Sequence, residues 1–328
     1  MRTQGVGSLL AAMAALACLL PPALYAAVPG DGATPPSWAY PVNPPDMPPA
    51  HMRAGPLHLP QSTRSFLAPQ VTDRFNVPDW FPQDHPPMPE VVARGRSPDV
   101  YACGYCHLPD GAGRPENASL AGLPADYIVQ QLADMREGTR RTAVPERAPP
   151  QMMFALTHAM TEPEIRAAAA YFSGLKAHNR TRVIETATVP HTHVAGWFLA
   201  ADRDAPREPI GQRIIEVPAD LEQFEQRDAR VRILAYVPPG SIGAGRELIR
   251  TGGGQRTLVC AGCHGADLRG VGNIPAIAGR SPSYIVRQLI DIQSGVRAGA
   301  ATAPMNDVVR HLQLADMVAI ASYLATLH

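Results

Sequence analysis

The sequence predicts a mainly α protein: one small helical module used twice, the copies joined by a segment with a few short β-strands and preceded by a proline-rich extended arm. Three observations carry this. The stretch over residues 122–134 recurs over residues 279–291 at a constant offset of 157, the same offset that relates Cys103 to Cys260. Matching residues inside each copy recur at the three- and four-residue steps of a helix, Tyr127, Ile128, Gln131, Leu132 and Met135 in one and Tyr284, Ile285, Gln288, Leu289 and Ile292 in the other. Prolines crowd the chain before residue 90, and short β-branched or aromatic runs fill the stretch between the copies.

Taken in order, residues 1–27 have the layout of a cleavable secretory signal: Arg2, an apolar run over residues 6–24, then small Ala26 and Ala27. An uncleaved anchor is the alternative, against which Pro21 and Pro22 interrupt the run. Lipidation at Cys18 is a further alternative, disfavoured because apolar sequence continues past it. Residues 28–89 read as an extended arm, and residues 90–177 as the first module. Its last helix is announced by Thr161 and Glu164 at capping-box spacing, with Pro163 in the tolerated first turn, and by the apolar positions Ile165, Ala168, Ala169 and Phe172. Residues 178–239 form the strand-rich linker, with runs at 182–185, 194–199 and 213–217. Residues 240–328 form the second module, where Ser281-Pro282 opens the Tyr284 helix and Met317, Ile320, Ala321 and Leu324 line the last one. Downstream, Met153 matches Met305 and Tyr171 matches Tyr323 at an offset of 152, so the first copy holds five extra residues, placed in the loop over residues 142–150.

Composition narrows the function classes. The chain has 328 residues, is 45% hydrophobic and carries a formal net charge of zero, which gives no reason to expect nucleic acid or an acidic membrane surface as a partner. Membrane contact is expected only through partners or an uncleaved signal. Of 29 basic residues only Lys176 is a lysine. Guanidinium stays protonated and does not ligate iron, so almost no side-chain amine competes for a metal, and any cationic docking face is built of arginine.

Of five cysteines, Cys18 lies in the signal and the other four fall into two identical strings, Cys103-Gly-Tyr-Cys106-His107 and Cys260-Ala-Gly-Cys263-His264. Cys-x-x-Cys-His is the attachment string of a c-type haem: two thiols add to the vinyl groups, and the adjacent histidine is placed under the iron. Redox and zinc sites also use Cys-x-x-Cys but do not require the histidine, and two copies inside one larger repeat weigh against them. Two covalently bound haem c groups are therefore expected, with His107 and His264 as proximal ligands.

The sixth ligand must lie downstream, and Met153 and Met305 follow their first cysteines by 50 and 45 residues, just before each final helix and after prolines. A thioether there gives His/Met ligation, which favours ferrous iron. Met152 adjoins Met153, so the choice between them stays open, with His158 and His311 as reserve ligands. The proximal imidazoles need a carbonyl acceptor for their other nitrogen, and Pro275 and its counterpart Ala118 are the candidates. Arg140 and Arg297 match at the 157 offset and are candidate contacts for haem propionates. His191 and His193 have strand spacing on one face but lack a third ligand, so they read as surface histidines. Gly252-Gly-Gly254 reads as a helix end rather than a phosphate loop.

On Cys103 to His107 with Met153, and Cys260 to His264 with Met305, the chain resembles two class I cytochrome c modules in tandem, similar to the dihaem cytochrome c4 family of bacterial periplasms. The resemblance covers about 175 residues. It implies a periplasmic single-electron carrier rather than an enzyme, passing electrons from a donor dehydrogenase or membrane complex to a respiratory acceptor such as a terminal oxidase. The arm and the roughly 60-residue insert depart from the family, whose modules are usually joined by a short linker. Two other readings are a dihaem oxidoreductase of the peroxidase or thiosulfate dehydrogenase type, with catalysis at the first haem, and the electron-accepting subunit of a periplasmic dehydrogenase.

Overall fold

The computed structural model describes residue 1, residues 34–47 and residues 54–328. The rest of the expected signal, Cys18 included, lies outside the described residues. Among these no helix is long and apolar enough to cross a membrane.

The segment expected as an extended arm is folded from residue 54 onward. Strands β1 (Pro56–His58) and β2 (Ser65–Leu67) pair antiparallel, and helix α1 (Ala68–Val71) and a 3-10 turn at Pro82–Asp84 follow. Leu57, Leu59, Val71, Trp80 and Phe81 close a small core of their own, and burying them offsets the entropy of ordering a chain so rich in proline. Farther upstream, Ala39 and Tyr40 are buried in the core of the second module. The Tyr40 hydroxyl donates to Asp291 Oδ1 at 2.9 Å and to the Arg287 carbonyl at 3.1 Å, and Arg287 Nη1 donates to the Ala39 carbonyl at 2.8 Å. The segment is a strap across that module.

The first module comprises α2 (Glu90–Ala93), α3 (Cys103–His107), α4 (Ala125–Arg136), α5 (Ala148–Ala159) and α6 (Glu162–Ser173). Ile128 and Leu132 of α4 meet Ile165, Ala168, Ala169 and Phe172 of α6, the periodic positions of the sequence. The Thr161 cap closes as its spacing implies: Thr161 N donates to Glu164 Oε2 at 2.7 Å and Glu164 N to Thr161 Oγ1 at 3.5 Å. Arg96 adds Nε to Glu164 Oε1 at 2.9 Å and holds that carboxyl down from 4.5 to about 2, with Thr161 assisting against partial burial. Helix α2 is a single turn, with Pro82, Pro86, Pro87 and Pro89 crowding its approach and Gly95 at φ 67° just past its end. Met153 lies ahead of the final helix as expected, but Pro149 and Pro150, expected in a loop, fall in the first turn of α5, where proline is tolerated, so Met153 is itself helical.

The insert carries β3 (Thr181–Glu185), β4 (Thr188–Val189), β5 (Thr192–Val194), β6 (Leu199–Ala201), β7 (Glu208–Pro209), β8 (Ile215–Pro218), α7 (Leu221–Glu225) and β9 (Ile233–Val237). β9 is central in a three-stranded sheet, parallel to β3 and antiparallel to β8. The run expected as one strand over residues 194–199 is instead the turn of the β5–β6 hairpin, with Gly196 and Trp197 at φ of 66° and 73°. Trp80 of the arm donates its indole N–H to the Gln226 carbonyl at 2.7 Å, so arm and insert are tied together.

The second module follows with α8 (Ser241–Thr251), α9 (Ala261–His264), α10 (Pro282–Gln293), α11 (Met305–Val309) and α12 (Leu314–Ala325). Gly252 ends α8 in the left-handed conformation at φ 74°, the helix-end role its glycine run suggested. Leu248 and Ile249 of α8, Ile285, Val286 and Leu289 of α10, and Met317, Ile320 and Leu324 of α12 make one core. Helices α8 and α12 approach so closely at Gly245 that an added Cβ would lie 1.9 Å from the Ala319 carbonyl oxygen.

Candidate haem-iron centres

Each Cys-x-x-Cys-His string winds into a helical turn, α3 and α9, that ends on its histidine. The next residue reverses the chain with positive φ, Leu108 at 66° and Gly265 at 85°. Ten residues further along, a carbonyl returns beneath the ring: His107 Nδ1 lies 2.8 Å from the Ala118 oxygen and His264 Nδ1 2.8 Å from the Pro275 oxygen. Those carbonyls are the two the sequence singled out. The contact makes Nδ1 the donor and leaves Nε2 as the lone-pair nitrogen a metal takes. Both imidazoles are buried, and burial, acting against the carbonyl contact, holds their pKa below the ordinary value, so they stay neutral.

The four cysteines are free thiols. Burial pushes Cys103 up to about 12 and Cys260 up to about 11, and raises Cys106 as well. Among the described residues no group of three or more His, Cys, Asp or Glu side chains could hold a metal ion. A thiol pair directly before a neutral, carbonyl-oriented imidazole suits thioether attachment of a haem.

Met153 packs on the first module's core together with Cys103, and Met305 on the second's with Cys260 and Ala261. Met152 is outside that packing, while His158 and His311 are exposed. His191 and His193 both turn their Nδ1 atoms to one carboxylate, Asp202, at 2.6 and 2.5 Å on the surface of the insert.

Arg140 and Arg297 are brought together. Their backbones form an antiparallel bridge, with Arg141 N donating to the Val296 carbonyl and Ala298 N to the Thr139 carbonyl, both at 2.7 Å. Each guanidinium crosses the seam. Arg140 donates to Gln131 Oε1 at 2.9 Å, Tyr284 Oη at 3.1 Å and Gln288 Oε1 at 3.3 Å. Arg297 mirrors it on Gln288 at 2.9 Å, Tyr127 at 3.1 Å and Gln131 at 2.8 Å. Sequence reasoning named the arginines but missed these tyrosines and glutamines as their partners, although the same repeat matched them. Burial opposes the charge on Arg140, but the Tyr284 and Tyr127 oxygens outweigh it. The Tyr284 phenol, despite its burial, is drawn below its ordinary value by Arg140 and Arg297. Arg297 Nε is buried without a hydrogen-bond partner, so two cations meet at a seam with donor capacity to spare, which suits the carboxylates of a haem.

Around α3 the first module is covered. Tyr105, the third residue of Cys-Gly-Tyr-Cys-His, packs with Ala102 and with Val77 of the arm, and donates to the arm's Thr72 carbonyl at 3.2 Å. From the insert, Arg227 Nη1 donates to the Tyr105 carbonyl at 2.8 Å with its guanidinium 3.4 Å from the Tyr105 ring centroid. A cavity of about 610 Å³, open to solvent, lies beside this contact, lined by Arg114, Arg180, Arg227, Glu216 and Asp228 among others. Among the described residues helix α9 has no such cover: the position of Tyr105 is taken by Gly262, beyond whose Cα there is open space, and Cys263 is exposed.

A helical module presenting a neutral, carbonyl-anchored histidine directly after a Cys-x-x-Cys pair defines a c-type cytochrome, the class whose haem is covalently bound. The cytochrome c family matches residues 251–328. A cytochrome c4 of Pseudomonas aeruginosa is 30% identical over 231 residues, 69% of this chain and 84% of that protein. The chain belongs to the cytochrome c4 family. A thiosulfate dehydrogenase electron acceptor of Thiomonas intermedia is 26% identical over 233 residues, 70% of this chain and 79% of that one. The crystal structure of a thiosulfate dehydrogenase from Marichromatium purpuratum aligns at a TM-score of 0.49 and 24% identity, over 72% of this chain and 38% of that chain.

Proposed function

We propose that this chain is a periplasmic single-electron carrier with two haems, the first on Cys103, Cys106 and His107 with Met153 opposite, the second on Cys260, Cys263 and His264 with Met305 opposite. Each haem iron supplies a one-electron ferric/ferrous couple when bound. The observation that carries the reading is the duplicated proximal anchor, imidazole Nδ1 on carbonyl at 2.8 Å in both modules. The chain's residues do the rest. His107 and His264 present Nε2 in a fixed orientation, the cysteines hold the macrocycles, and the thioethers of Met153 and Met305 close the sixth position and favour the ferrous state. Arg140 and Arg297 bind propionates at the seam, which joins the two sites through one hydrogen-bonded network.

The electron acceptor named in the Thiomonas relative supports a dehydrogenase as the donor here, with a respiratory protein as the acceptor. Met153 is preferred over Met152 because it, and not its neighbour, packs on the core beside Cys103. The test is the weak red sulfur-to-iron band of the oxidised protein, quantified per haem. Two haems' worth is expected, falling to one in Met153→Ala and in Met305→Ala and unchanged in Met152→Ala. A band for one haem in the wild type overturns the carrier reading in favour of catalysis at the first haem.

A further inference from the structure

The insert does more than space the modules: we infer that Arg227 makes the two haems unequal, raising the reduction potential of the first above that of the second. This rests on the reading that a haem is attached through Cys103 and Cys106.

Arg227 follows helix α7 and has φ of 61°, a left-handed conformation that glycine or asparagine adopts more readily than arginine. What holds an arginine there is on the other side of the contact: the Tyr105 carbonyl at 2.8 Å and the Tyr105 ring at 3.4 Å. The side chain is thus planted on the haem-attachment turn itself, between the two cysteines. The neighbouring buried cation, Arg114, is neutralised by Glu116 at 2.6 Å, and Arg180 pairs with Asp110. Among the described residues no carboxylate lies at ion-pair distance from Arg227. Burial, and then the neighbouring Arg114 charge, lower its pKa. An uncompensated positive charge in a desolvated site favours the redox state with less positive charge, here ferrous.

Among the described residues the second module has nothing equivalent. Gly262 stands where Tyr105 stands, with open space beyond its Cα, and Cys263 is exposed to solvent. The two proximal anchors are the same length, so the asymmetry resides in the cover and not in the ligand geometry. In the half-reduced protein the single electron therefore resides at the first haem, behind arm and insert, while the second haem is the one open to a partner. A unit charge ~12 Å from a redox centre in an effective dielectric of ~20 changes the oxidised-to-reduced ratio about tenfold, which for one electron is ~59 mV.

The experiment is a potentiometric titration of the purified two-haem protein, wild type, Arg227→Met and Arg227→Lys, with folding checked by circular dichroism and haem content by mass. Wild type gives two waves. Arg227→Met, which keeps length and apolar cover but not charge, lowers the upper wave about tenfold in equilibrium constant and leaves the lower wave in place; Arg227→Lys keeps the upper wave. The inference is overturned if no wave moves, if both move together, if the lower one moves, or if Met and Lys act alike. Should Arg227→Met not fold, Arg227→Gln, which also removes the charge, is read against the same outcomes, and coincident waves in the wild type overturn the inference by themselves. A chain with a single haem by mass refutes the two-haem reading as well, whereas two haems with coincident waves refute the inference alone.

Discussion

The crossing of α8 and α12 gives a sharp mechanical test. At Gly245 a new Cβ would lie 1.9 Å from the Ala319 carbonyl oxygen, 2.5 Å from its carbon and 3.0 Å from Tyr323 Cβ. Two of the three obstacles are backbone, so no rotamer change relieves the clash and the helices must part. Overpacking of this kind costs ~3 kcal/mol, the upper end of the usual range, and the better helix propensity of alanine returns ~1 kcal/mol. Gly245→Ala should therefore destabilise the protein by ~2 kcal/mol. Gly243, two residues earlier on the same helix, has nothing within 4 Å of an added Cβ. Gly243→Ala should gain up to ~1 kcal/mol from propensity alone. The pair differs by ~3 kcal/mol, which at ~2–4 °C per kcal/mol places the two melting temperatures ~6–12 °C apart. Thermal unfolding of both holoproteins by far-ultraviolet circular dichroism is the assay. If Gly245→Ala melts with or above Gly243→Ala, the close approach is not real and the account of the second module's core fails.

Tyr40→Phe removes a hydrogen bond to the buried Asp291 carboxyl and should cost ~1.5–3 kcal/mol in urea unfolding while both redox waves stay in place. Glu116→Gln leaves the buried Arg114 guanidinium without its counter-charge and should destabilise by ~3–5 kcal/mol on the same assay; a loss below ~1 kcal/mol would show that water, not Glu116, solvates that arginine. The Glu164 carboxyl, held at about 2 in the fold against an ordinary 4.5, contributes stability that is complete above about pH 4.5 and is lost as pH falls through about 2. The stability gap between wild type and Glu164→Gln should accordingly close over that acid window and be constant at neutral pH; a gap that widens on acidification contradicts the Arg96 pairing.

Much of the site was legible because it is encoded in short range. Cys-x-x-Cys-His dictates both cysteines and the histidine within one helical turn, and the repeat located the anchoring carbonyls of Ala118 and Pro275 eleven residues after the histidines. The helical periods of Tyr127 to Met135 and Tyr284 to Ile292 gave the core faces for the same local reason. What was not legible depends on distant partners. Leu57, Leu59, Trp80 and Phe81 follow no period, so the small core they form is visible only once β1 and β2 pair. A strand and a hairpin turn look alike over residues 194–199 until Gly196 and Trp197 take positive φ. That Arg140 and Arg297 face each other, each hydrogen-bonded to the other module's tyrosine, follows from the rotation between modules, which no spacing within either copy records. Arg227 over Tyr105 joins residues from the insert and the first module and leaves no pattern in the chain.

The strap through Ala39 and Tyr40 also sets an order of events. Tyr40 bonds to Asp291, 251 residues later in the chain, and Arg287 bridges that strap to the Pro115 carbonyl of the first module at 2.6 Å. The strap cannot seat until α10 has formed, since its binding groove does not exist before then. Closing so long a loop is slow relative to local helix formation. Until it closes, both Cys-x-x-Cys-His turns belong to a chain whose N-terminal part is still unlatched, which leaves an interval for haem attachment before the structure locks from its beginning onto its end.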